Sequence, residues 1–299
     1  MRYQGGKRRS AKYIAPVLAR MSAAAPVRDI GDLFLGSAGI EIACSTLAPV
    51  TLGAEICTAV VACYRAVVNG WDPPARLTRE EWAVVKAMHG PDSEDPIAAF
   101  ALLFCSYGGI WASGWLPDDE RHGEHRPTCR YAAAKARKDL LALRPVLQRM
   151  ILVCEDYRTA AERVPNGGVL YLDPPWRGTT GYKQAPPFDV DAFWTWAAEA
   201  SLRWRVIVSE GPLGPPAGDD RWALAWTRTV PSPGLLAKKI ECLWYLRGGL
   251  AADVFRDTYT SSTIDVPVLE IPVPQKLGVD DTCGIPPMFP RLPGAPETT

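Results

Sequence analysis

The chain has 299 residues, enough to bury a large core either as one α/β domain with an insertion or as two modest domains. Lys and Arg together number 33, as do Asp and Glu, so the net charge excludes a uniformly basic nucleic-acid binder, and any DNA-binding surface must be local. The eight cysteines include no Cys-x-x-Cys pair, and we expect no secretory leader and no membrane span. These features predict a cytoplasmic protein with reduced thiols.

A glycine turn followed by basic residues forms the run Arg2-Tyr-Gln-Gly-Gly-Lys-Arg-Arg-Ser-Ala-Lys12, and a helical pattern continues from Tyr13 to about Met21. Two adjacent glycines let backbone amides approach an anion or a carboxylate closely. Lys7 can add a charge-assisted hydrogen bond to such a group. The alternative interpretation is a frayed basic end without a partner.

A strand, a glycine turn and a helix follow one another in the next part of the chain. The strand signal is Asp29-Ile-Gly-Asp-Leu-Phe-Leu35, the turn is Gly36-Ser-Ala-Gly39, and an apolar helical pattern runs from Ile40 to Leu47. Small residues in such a turn let the backbone approach a nucleotide-like ligand. A second apolar run, Val50 to Ala54, ends in Glu55, about 20 residues past the turn, where such folds place the acid that holds ribose hydroxyls. The pattern predicts a nucleoside cofactor.

Helices are predicted next at Cys57 to Val68, Thr78 to Met88 and Pro96 to Phe104. The second of them begins with a capping-box pattern, in which Glu81 follows the threonine by three positions. Glycines and aromatic residues then fill Cys105 to Trp115 without a regular period, which is typical of a functional or a mobile loop.

A locally basic segment runs from Arg121 to Arg149, and its part from Tyr131 to Leu147 has a helical pattern. Its excess of Lys and Arg predicts contact with DNA phosphates, although a solvated helix face is the alternative. Within this segment, His122-Gly-Glu-His125 and Cys129 match no recognised zinc spacing, so we expect no metal site.

The stretch Val169-Leu-Tyr-Leu-Asp-Pro-Pro-Trp176 begins with a short apolar run, which predicts a strand buried on both faces of a parallel sheet. Asp173 then lies at the carboxyl end of that strand, the edge where ligands bind in open α/β sheets. The two prolines have no backbone N–H, so the strand cannot continue its hydrogen bonds to its neighbours beyond Asp173. Trp176 supplies a flat aromatic face beside them. Taken alone, the stretch fits equally well a strand that stops at a Pro-Pro turn, with Trp176 packed on the core.

Other predicted elements surround this stretch. They are a strand with an acid and an aromatic residue at its end, Ile151 to Tyr157; a loop able to move over a bound base, Arg177 to Lys183; a helix, Asp191 to Leu202; a buried strand, Arg205 to Glu210; closing strands within Leu235 to Leu246; and a proline-rich, extended or poorly ordered tail beyond about Arg247.

In their order along the chain, these motifs resemble those of the Dam-type, D12-class DNA adenine N6-methyltransferases, especially phage-borne and restriction-modification members. The likeness runs from Arg2 to about Leu246. It is carried by Arg-Tyr-Gln-Gly-Gly-Lys at the start, Asp-Leu-Phe-Leu-Gly-Ser-Ala-Gly, Cys-Glu-Asp-Tyr, Leu-Tyr-Leu-Asp-Pro-Pro-Trp, Gly-Thr-Thr-Gly-Tyr-Lys and the later Val-Ser-Glu.

The resemblance implies an α/β fold with a Rossmann-like sheet that binds S-adenosylmethionine and a mainly helical target-recognition insertion. The catalytic core would comprise residues 1–71 and 150–250, the insertion residues 72–149, and a Pro-rich extension residues 251–299. Double-stranded DNA is the implied partner, with no membrane, no metal and no obligatory protein partner.

The resemblance also implies roles for individual residues. The cofactor-binding residues would be Tyr3, Gly6, Lys7, Phe34, Gly36, Ala38, Gly39, Glu55, Asp156, Tyr157 and Asp173. Of these, Phe34, Gly36 and Gly39 would surround the methionine portion, Glu55 the ribose, and Asp156 with Tyr157 the adenine. Tyr3 and Lys7 would close the site from the amino end. The catalytic residues would be Asp173, Pro174, Pro175 and Trp176, and the nucleic-acid contacts Arg126, Arg130, Lys135, Tyr182 and Lys183.

The implied reaction is direct attack of the adenine N6 on the sulfonium methyl after base flipping, with S-adenosylhomocysteine as product. Asp173 and the Pro174 carbonyl would accept hydrogen bonds from the amino group, and Trp176 would stack on the flipped base. The family usually has Tyr at the position of Trp176, and Trp there is typical of RNA-adenosine methyltransferases. Gly211-Pro212 departs from the pattern as well, since phage relatives more often have an aromatic residue there. The alternatives are therefore an RNA adenosine N6- or DNA cytosine N4-methyltransferase, or a catalytically silent DNA-binding relative.

Overall fold

Seven strands form one mixed sheet in the order β3-β2-β1-β4-β5-β7-β6. The computed structural model describes residues 3–116, 132–179, 181–230 and 239–255, and of Val230 and Lys239 the backbone alone. The strands are β1 (Ile30–Asp32), β2 (Leu52–Ala54), β3 (Ile151–Val153), β4 (Val169–Leu172), β5 (Arg205–Glu210), β6 (Trp222–Val230) and β7 (Lys239–Leu246). Strands β1 to β5 run parallel, and β7 inserts antiparallel between β5 and β6. This arrangement confirms the α/β prediction.

The strand order reverses beside β1, which pairs with β2 on one side and with β4 on the other. In such sheets the reversal opens a crevice at the carboxyl ends of the two central strands, because the connections on either side leave in opposite directions. The register places Asp32 opposite Tyr171, so Asp173 follows immediately at the same edge. The fold therefore creates a binding crevice where the apolar stretch meets the two prolines.

The central strands are buried on both faces, as their apolar runs predict. Every residue of β4 and of β5 is buried. Side chains of β4 alternate between two cores: Tyr171 packs into the core that contains α1 and α3, and Leu170 and Leu172 pack into the core that contains α8. This double burial holds the end of β4 rigidly.

The helices cover the two faces of the sheet. They are α1 (Ala11–Ala24), α2 (Gly39–Cys44), α3 (Thr58–Val68), α4 (Arg79–Met88), α5 (Pro96–Ala99), α6 (Ala132–Leu147), α7 (Tyr157–Ala161), α8 (Val190–Ala200) and α9 (Ala252–Phe255). None of the helices in the described ranges is both long and apolar enough to cross a membrane.

The predicted helix ends are confirmed where side chains cap them. Thr78 accepts a hydrogen bond from the Glu81 amide at 3.1 Å, and the Glu81 carboxylate accepts from the Thr78 amide at 2.8 Å. At α5, Asp95 caps the amino end and Pro96 occupies the first turn. The same segment then widens into a π-helical turn, Phe100–Phe104, which is buried throughout.

The glycine-rich loop from Cys105 to Trp115 is tied to the rest of the protein. Ser106 and Trp115 form an isolated antiparallel bridge. The Trp115 indole donates to the Leu77 carbonyl at 2.9 Å, and the Gln4 amide donates to the Gly109 carbonyl at 3.0 Å. The loop thus holds the amino-terminal segment in place.

Two elements differ from the sequence-based expectation. Strand β6 was not predicted, because its Thr227-Arg228-Thr229 segment interrupts the apolar run; as the edge strand it tolerates polar side chains. The short helix α7 was also missed, since Asp156 supplies its cap and only five residues follow. Both elements lie beside strands whose positions were predicted.

The division into core, insertion and extension stays a prediction. Within residues 72–149, Phe104 stacks with Tyr64 at 6.2 Å and shares a core with the sheet. At the start of residues 251–299, Phe255 packs against Tyr245 at 4.6 Å, and Asp253 pairs with Arg205 at 2.6 Å. Residues 256–299 lie outside the described part of the chain.

Candidate active site

Asp173 lies at the carboxyl end of β4 and forms an ion pair with Lys7. The Lys7 Nζ is 2.5 Å from Asp173 Oδ1, and the Lys7 side chain is 9% exposed. Burial raises the pKa of the Asp173 carboxyl, and the nearby ammonium partly opposes this effect. The amino-terminal basic residue therefore meets the carboxylate that follows β4, which explains why Lys7 is buried.

A second carboxylate contacts Lys7 from β7. Glu241 Oε1 lies 3.7 Å from the Lys7 Nζ, and its other oxygen accepts a hydrogen bond from the Ser10 hydroxyl. Glu241 is 3% exposed, so the ammonium is held between this buried acid and the partly buried Asp173. The sequence offered no signal for this contact, because Glu241 lies inside a strand rather than at its end.

Glu210 joins the ends of β4 and β5 through one carboxylate oxygen. Its Oε1 accepts from the Arg177 amide at 3.1 Å and from the Gly211 amide at 2.9 Å, while Oε2 has no hydrogen-bond partner among the described residues. Burial raises the pKa of Glu210 to about 7. Its position at the end of a buried strand was the signal that could have identified it as a site residue.

Trp176 packs closely against the loop that follows β5. A Cβ atom built on Gly211 would lie 3.0 Å from the Trp176 ring, so a residue without a side chain is needed there. The Lys7 ammonium lies 4.8 Å from the centre of the same ring. Trp176 is half-buried.

Glu55 forms the acidic wall of the adjoining pocket at the end of β2. Its oxygens accept from the Gly36 amide at 3.1 Å, the Cys57 amide at 3.0 Å and the Tyr3 hydroxyl at 3.4 Å. Burial raises the pKa of Glu55, and these hydrogen bonds oppose the effect. The glycine turn, the amino-terminal motif and β2 therefore converge on one carboxyl group.

The glycine at position 36 is required by both backbone and space. Its φ is +48°, and an added Cβ would lie 3.1 Å from the Tyr3 ring. Its carbonyl accepts a hydrogen bond from Tyr64 at 2.6 Å. The turn is therefore held from both sides.

An aromatic wall faces the same pocket. Phe34 stacks with Tyr157 at 5.3 Å, with an interplanar angle of 28°, and Phe188 meets Phe34 edge-on at 5.9 Å. Asp156 caps α7 by accepting from the Arg158 amide at 3.0 Å. A flat ligand could lie along these rings with a polar group near Asp156.

The loop after Trp176 reaches the amino-terminal glycines. The Tyr182 hydroxyl occupies the space where a Cβ on Gly5 would lie, and its ring is 6.1 Å from that of Tyr3. Gln184 is buried, and its side-chain oxygen has no partner among the described residues. The pocket is lined by residues of all these segments, among them Tyr3, Gly6, Lys7, Phe34, Gly36, Gly39, Glu55, Asp156, Tyr157, Asp173, Pro175, Tyr182 and Gln184.

A buried carboxyl pair adjoins the pocket, which Asp32 helps to line, and was not identified from the sequence. Asp32 and Glu41 are 2% and 1% exposed. Asp32 accepts from the Phe34 amide at 2.9 Å, and its carboxyl group is hydrogen-bonded to that of Glu41. Burial and the facing carboxyl raise the pKa of Asp32, and burial raises that of Glu41. A hydrogen bond between two carboxyl groups requires that one of them carry a proton, so the pair does not bring two negative charges into the core.

Most of the predicted cofactor residues lie together in this pocket, and Ala38 is the exception. Its methyl group is fully buried in the core, at φ +51° just before α2, and its part in cofactor binding stays a prediction. Pro174 is buried beside Asp173 rather than exposed to the pocket.

Of the predicted DNA contacts, the structure describes Tyr182, Lys183 and Lys135. Tyr182 lines the pocket, and Lys183 is exposed on the same loop. Lys135 is exposed on α6 and pairs with Asp139 at 2.9 Å. Arg126 and Arg130, like the rejected metal candidates His122, His125 and Cys129, lie outside the described residues.

Comparison with protein-family models gives one match that spans more than half of the chain. The model for the D12 class N6 adenine-specific DNA methyltransferases matches residues 3–186. That range includes the amino-terminal motif, the glycine turn, Glu55, Tyr157 and the Asp173-Pro-Pro-Trp176 stretch.

Comparison with curated protein sequences finds no matching relative. Among solved structures, a similar chain is a conserved hypothetical protein from Streptococcus pyogenes, which is 11% identical. The match covers 74% of this chain and 87% of that one, with a TM-score of 0.31, and carries no argument about function.

Proposed function

Because the chain belongs to the D12 class N6 adenine-specific DNA methyltransferase family, we propose that it transfers a methyl group from S-adenosylmethionine to the N6 of an adenine flipped out of double-stranded DNA. The observation that carries this proposal is the position of Asp173. Asp173 lies at the switch point of the sheet. On one side of it is the pocket that contains Glu55 and the aromatic wall, and on the other side is Trp176.

The pocket residues suit S-adenosylmethionine by their chemistry. A carboxylate offers about four lone-pair sites. Glu55 uses three of them, and the longest of its three hydrogen bonds is the 3.4 Å bond from Tyr3. Ribose hydroxyls would take the remaining site and displace Tyr3. The adenine would lie along the Phe34 and Tyr157 rings, near Asp156. Gly36 and Gly39 leave room for the methionine portion.

Asp173 and the Pro174 carbonyl would hold the target amino group. The exocyclic nitrogen of adenine is a weak nucleophile, because its lone pair is delocalised into the ring. Two acceptors on its hydrogens favour the geometry in which that pair points at the methyl group. Lys7 favours the ionised, accepting form of Asp173.

The cofactor supplies a methyl group on a sulfonium, which is already activated for transfer. No strong base is then needed, and the protein contributes orientation and electrostatics in a pocket with little water. S-adenosylhomocysteine would leave as the sulfonium–methyl bond breaks, and the methylated amino group would then lose a proton to the Asp173 carboxylate or to water.

Trp176 would stack on the extruded adenine. Extrusion costs a few kcal/mol of stacking and pairing, which an aromatic face partly offsets. The close packing on Gly211 holds the indole next to Asp173, so little conformational freedom is lost when the base arrives. Tyr182 and Lys183 follow on a loop that would close over the base, and Lys135 with Arg126 and Arg130 would contact phosphates.

Labelled S-adenosylmethionine and unmethylated duplex DNA test the proposal directly. After incubation and digestion to nucleosides, label is expected in N6-methyladenine. The Asp173→Ala variant should transfer no methyl group yet still bind S-adenosylmethionine. Label in N4-methylcytosine, or in RNA alone, would contradict the proposed substrate, and full activity of the variant would remove Asp173 from the reaction.

A further inference from the structure

A partly exposed group of basic and aromatic side chains lies where α1 meets β6. Tyr13, 40% exposed, stacks with Trp226 at 5.8 Å and an interplanar angle of 26°. The Arg228 guanidinium lies 4.4 Å from the centre of the Tyr13 ring, and the Lys12 ammonium 4.9 Å from it. Together with Arg9, these four residues are called the Tyr13 patch.

The Tyr13 patch lies at the same edge of the sheet as Asp173. In the β6–β7 ladder Arg228 is opposite Glu241, which contacts Lys7, and in the β5–β7 ladder Cys242 is opposite Glu210. The Arg228 guanidinium also donates to the Arg9 carbonyl at 2.9 Å. Arg9 is two residues from Lys7, so the patch continues directly from the proposed active site to the surface.

The positive charge of the patch is not neutralised by the described residues. Many exposed arginines elsewhere pair with a carboxylate, as Arg137 does with Asp72 and Arg163 with Glu155. Arg9, Lys12 and Arg228 form no ion pair within the described ranges. Adjacent Arg8 does pair with Asp139, so it is not counted in the patch. A cluster of unpaired cations attracts a polyanion.

We propose that the Tyr13 patch binds the phosphate backbone of the duplex that flanks the target adenine. The inference rests on the proposed function, because it requires duplex DNA at the carboxyl edge of the sheet. When a flipped base reaches Asp173, the sugar-phosphate backbone of the duplex must lie over the neighbouring protein surface. Phosphates repeat every few ångströms along that backbone. Stacking on Tyr13 holds Arg228 in place before binding, so less side-chain entropy is lost.

Contacts with phosphates position a protein on DNA without reading its sequence. Loss of a patch cation should therefore weaken binding to all duplexes alike. Each lost phosphate contact should lower the magnitude of the slope of log K against log salt by about 0.9, and weaken binding roughly threefold to tenfold at moderate salt.

The test measures duplex binding of the full chain over a range of salt concentrations, for Arg228→Gln and Lys12→Gln. Arg203→Gln is the matched control, since Arg203 also stacks on an aromatic ring, Trp204, at 4.1 Å. It lies just before β5, at the opposite edge of the sheet, where it pairs with Glu162 at 2.8 Å, and its substitution removes one positive charge as well. Arg228→Lys retains the charge and should keep a slope near that of the unmodified protein. Binding of S-adenosylmethionine to the protein alone should be unchanged in every variant.

The expected result is a smaller salt slope and weaker binding for both patch variants, with the Arg203→Gln slope unchanged. Slopes and affinities of the patch variants equal to those of Arg203→Gln would overturn the inference, while methyl transfer by the unmodified protein would leave the proposed function intact. An equal loss of S-adenosylmethionine affinity would also overturn it, since the pocket rather than the surface would then be affected. If the unmodified protein neither binds nor methylates duplex DNA, the proposed function fails and this inference with it.

Discussion

The ammonium nitrogen of Lys7 lies 2.5 Å from the carboxylate of Asp173, although 166 positions separate the two residues in the sequence. The contact joins the glycine motif near the start of the chain to the end of the central strand. It also places a positive charge against an acid whose pKa burial would otherwise raise further. The ionisation of Asp173 therefore depends on a residue from the other end of the catalytic region.

Substitution of Lys7 by Gln should move the acidic limb of the activity profile to higher pH. Without the ammonium, which lowers the pKa of Asp173 by its charge and its hydrogen bond, the pKa of this carboxyl rises further. The ionised form of Asp173, which accepts the hydrogen bond from the substrate, is then populated only at higher pH. The profile of kcat/KM against pH measures the shift. Lys86→Gln, which removes an exposed charge from α4, should leave the limb in place; an unmoved limb in Lys7→Gln would contradict the assignment.

Substitution of Glu241 by Gln should shift the same limb in the opposite direction. The Glu241 charge raises the pKa of Asp173, and its removal lowers that pKa. The amide oxygen of Gln can still accept from Ser10, so the packing is retained. The acidic limb should therefore move in opposite directions in the two variants. Shifts in the same direction would show that the charges of Lys7 and Glu241 do not control the pKa of Asp173.

Glu210 should make the protein less stable as pH rises. Its folded-state pKa is raised from 4.5 to about 7, so its stabilising contribution is complete below about 4.5 and is lost as pH rises towards 7. Glu210→Gln keeps the acceptor for Arg177 and Gly211 but does not titrate. The free energy of unfolding of the unmodified protein, relative to this variant, should fall by up to about 3 kcal/mol between pH 5 and pH 8.

Denaturant unfolding at both pH values measures this difference, and Glu210→Ala supplies the comparison. The alanine variant leaves two amides without their acceptor and should lose about 1–3 kcal/mol for each that stays buried. A relative stability that does not change with pH would show that Glu210 is ionised at an ordinary pKa.

Gly36→Ala should weaken S-adenosylmethionine binding roughly tenfold while reducing stability by only about 1 kcal/mol. The added Cβ would press on the Tyr3 ring at 3.1 Å, in a backbone conformation with φ +48°. Tyr3 would move and disturb Glu55, to which its hydroxyl donates. Isothermal titration with S-adenosylmethionine measures the loss. Gly248→Ala, where the added Cβ meets no atom within 4 Å, is the control and should bind normally.

The sequence alone determined the features that depend on local pattern. The apolar run at Val169–Leu172, its two prolines and the glycine turn before α2 predicted the central strand, its end and the adjoining pocket. Such features follow from backbone sterics and hydrophobic period, which neighbouring residues set among themselves. The order of these motifs was enough to indicate the family, and the family comparison confirmed it.

Only the tertiary structure decided which distant groups meet and which side chains are buried. Ser10 and Glu241 are 231 positions apart, and the Lys7 contacts span the sheet, so no local pattern records them. The burial of Ala38, the polar edge strand β6 and the stack of Tyr13 on Trp226 likewise depend on packing between elements. The charges follow the same division: a sequence shows that a carboxyl is present, whereas its pKa depends on the burial and the neighbours that folding brings to it.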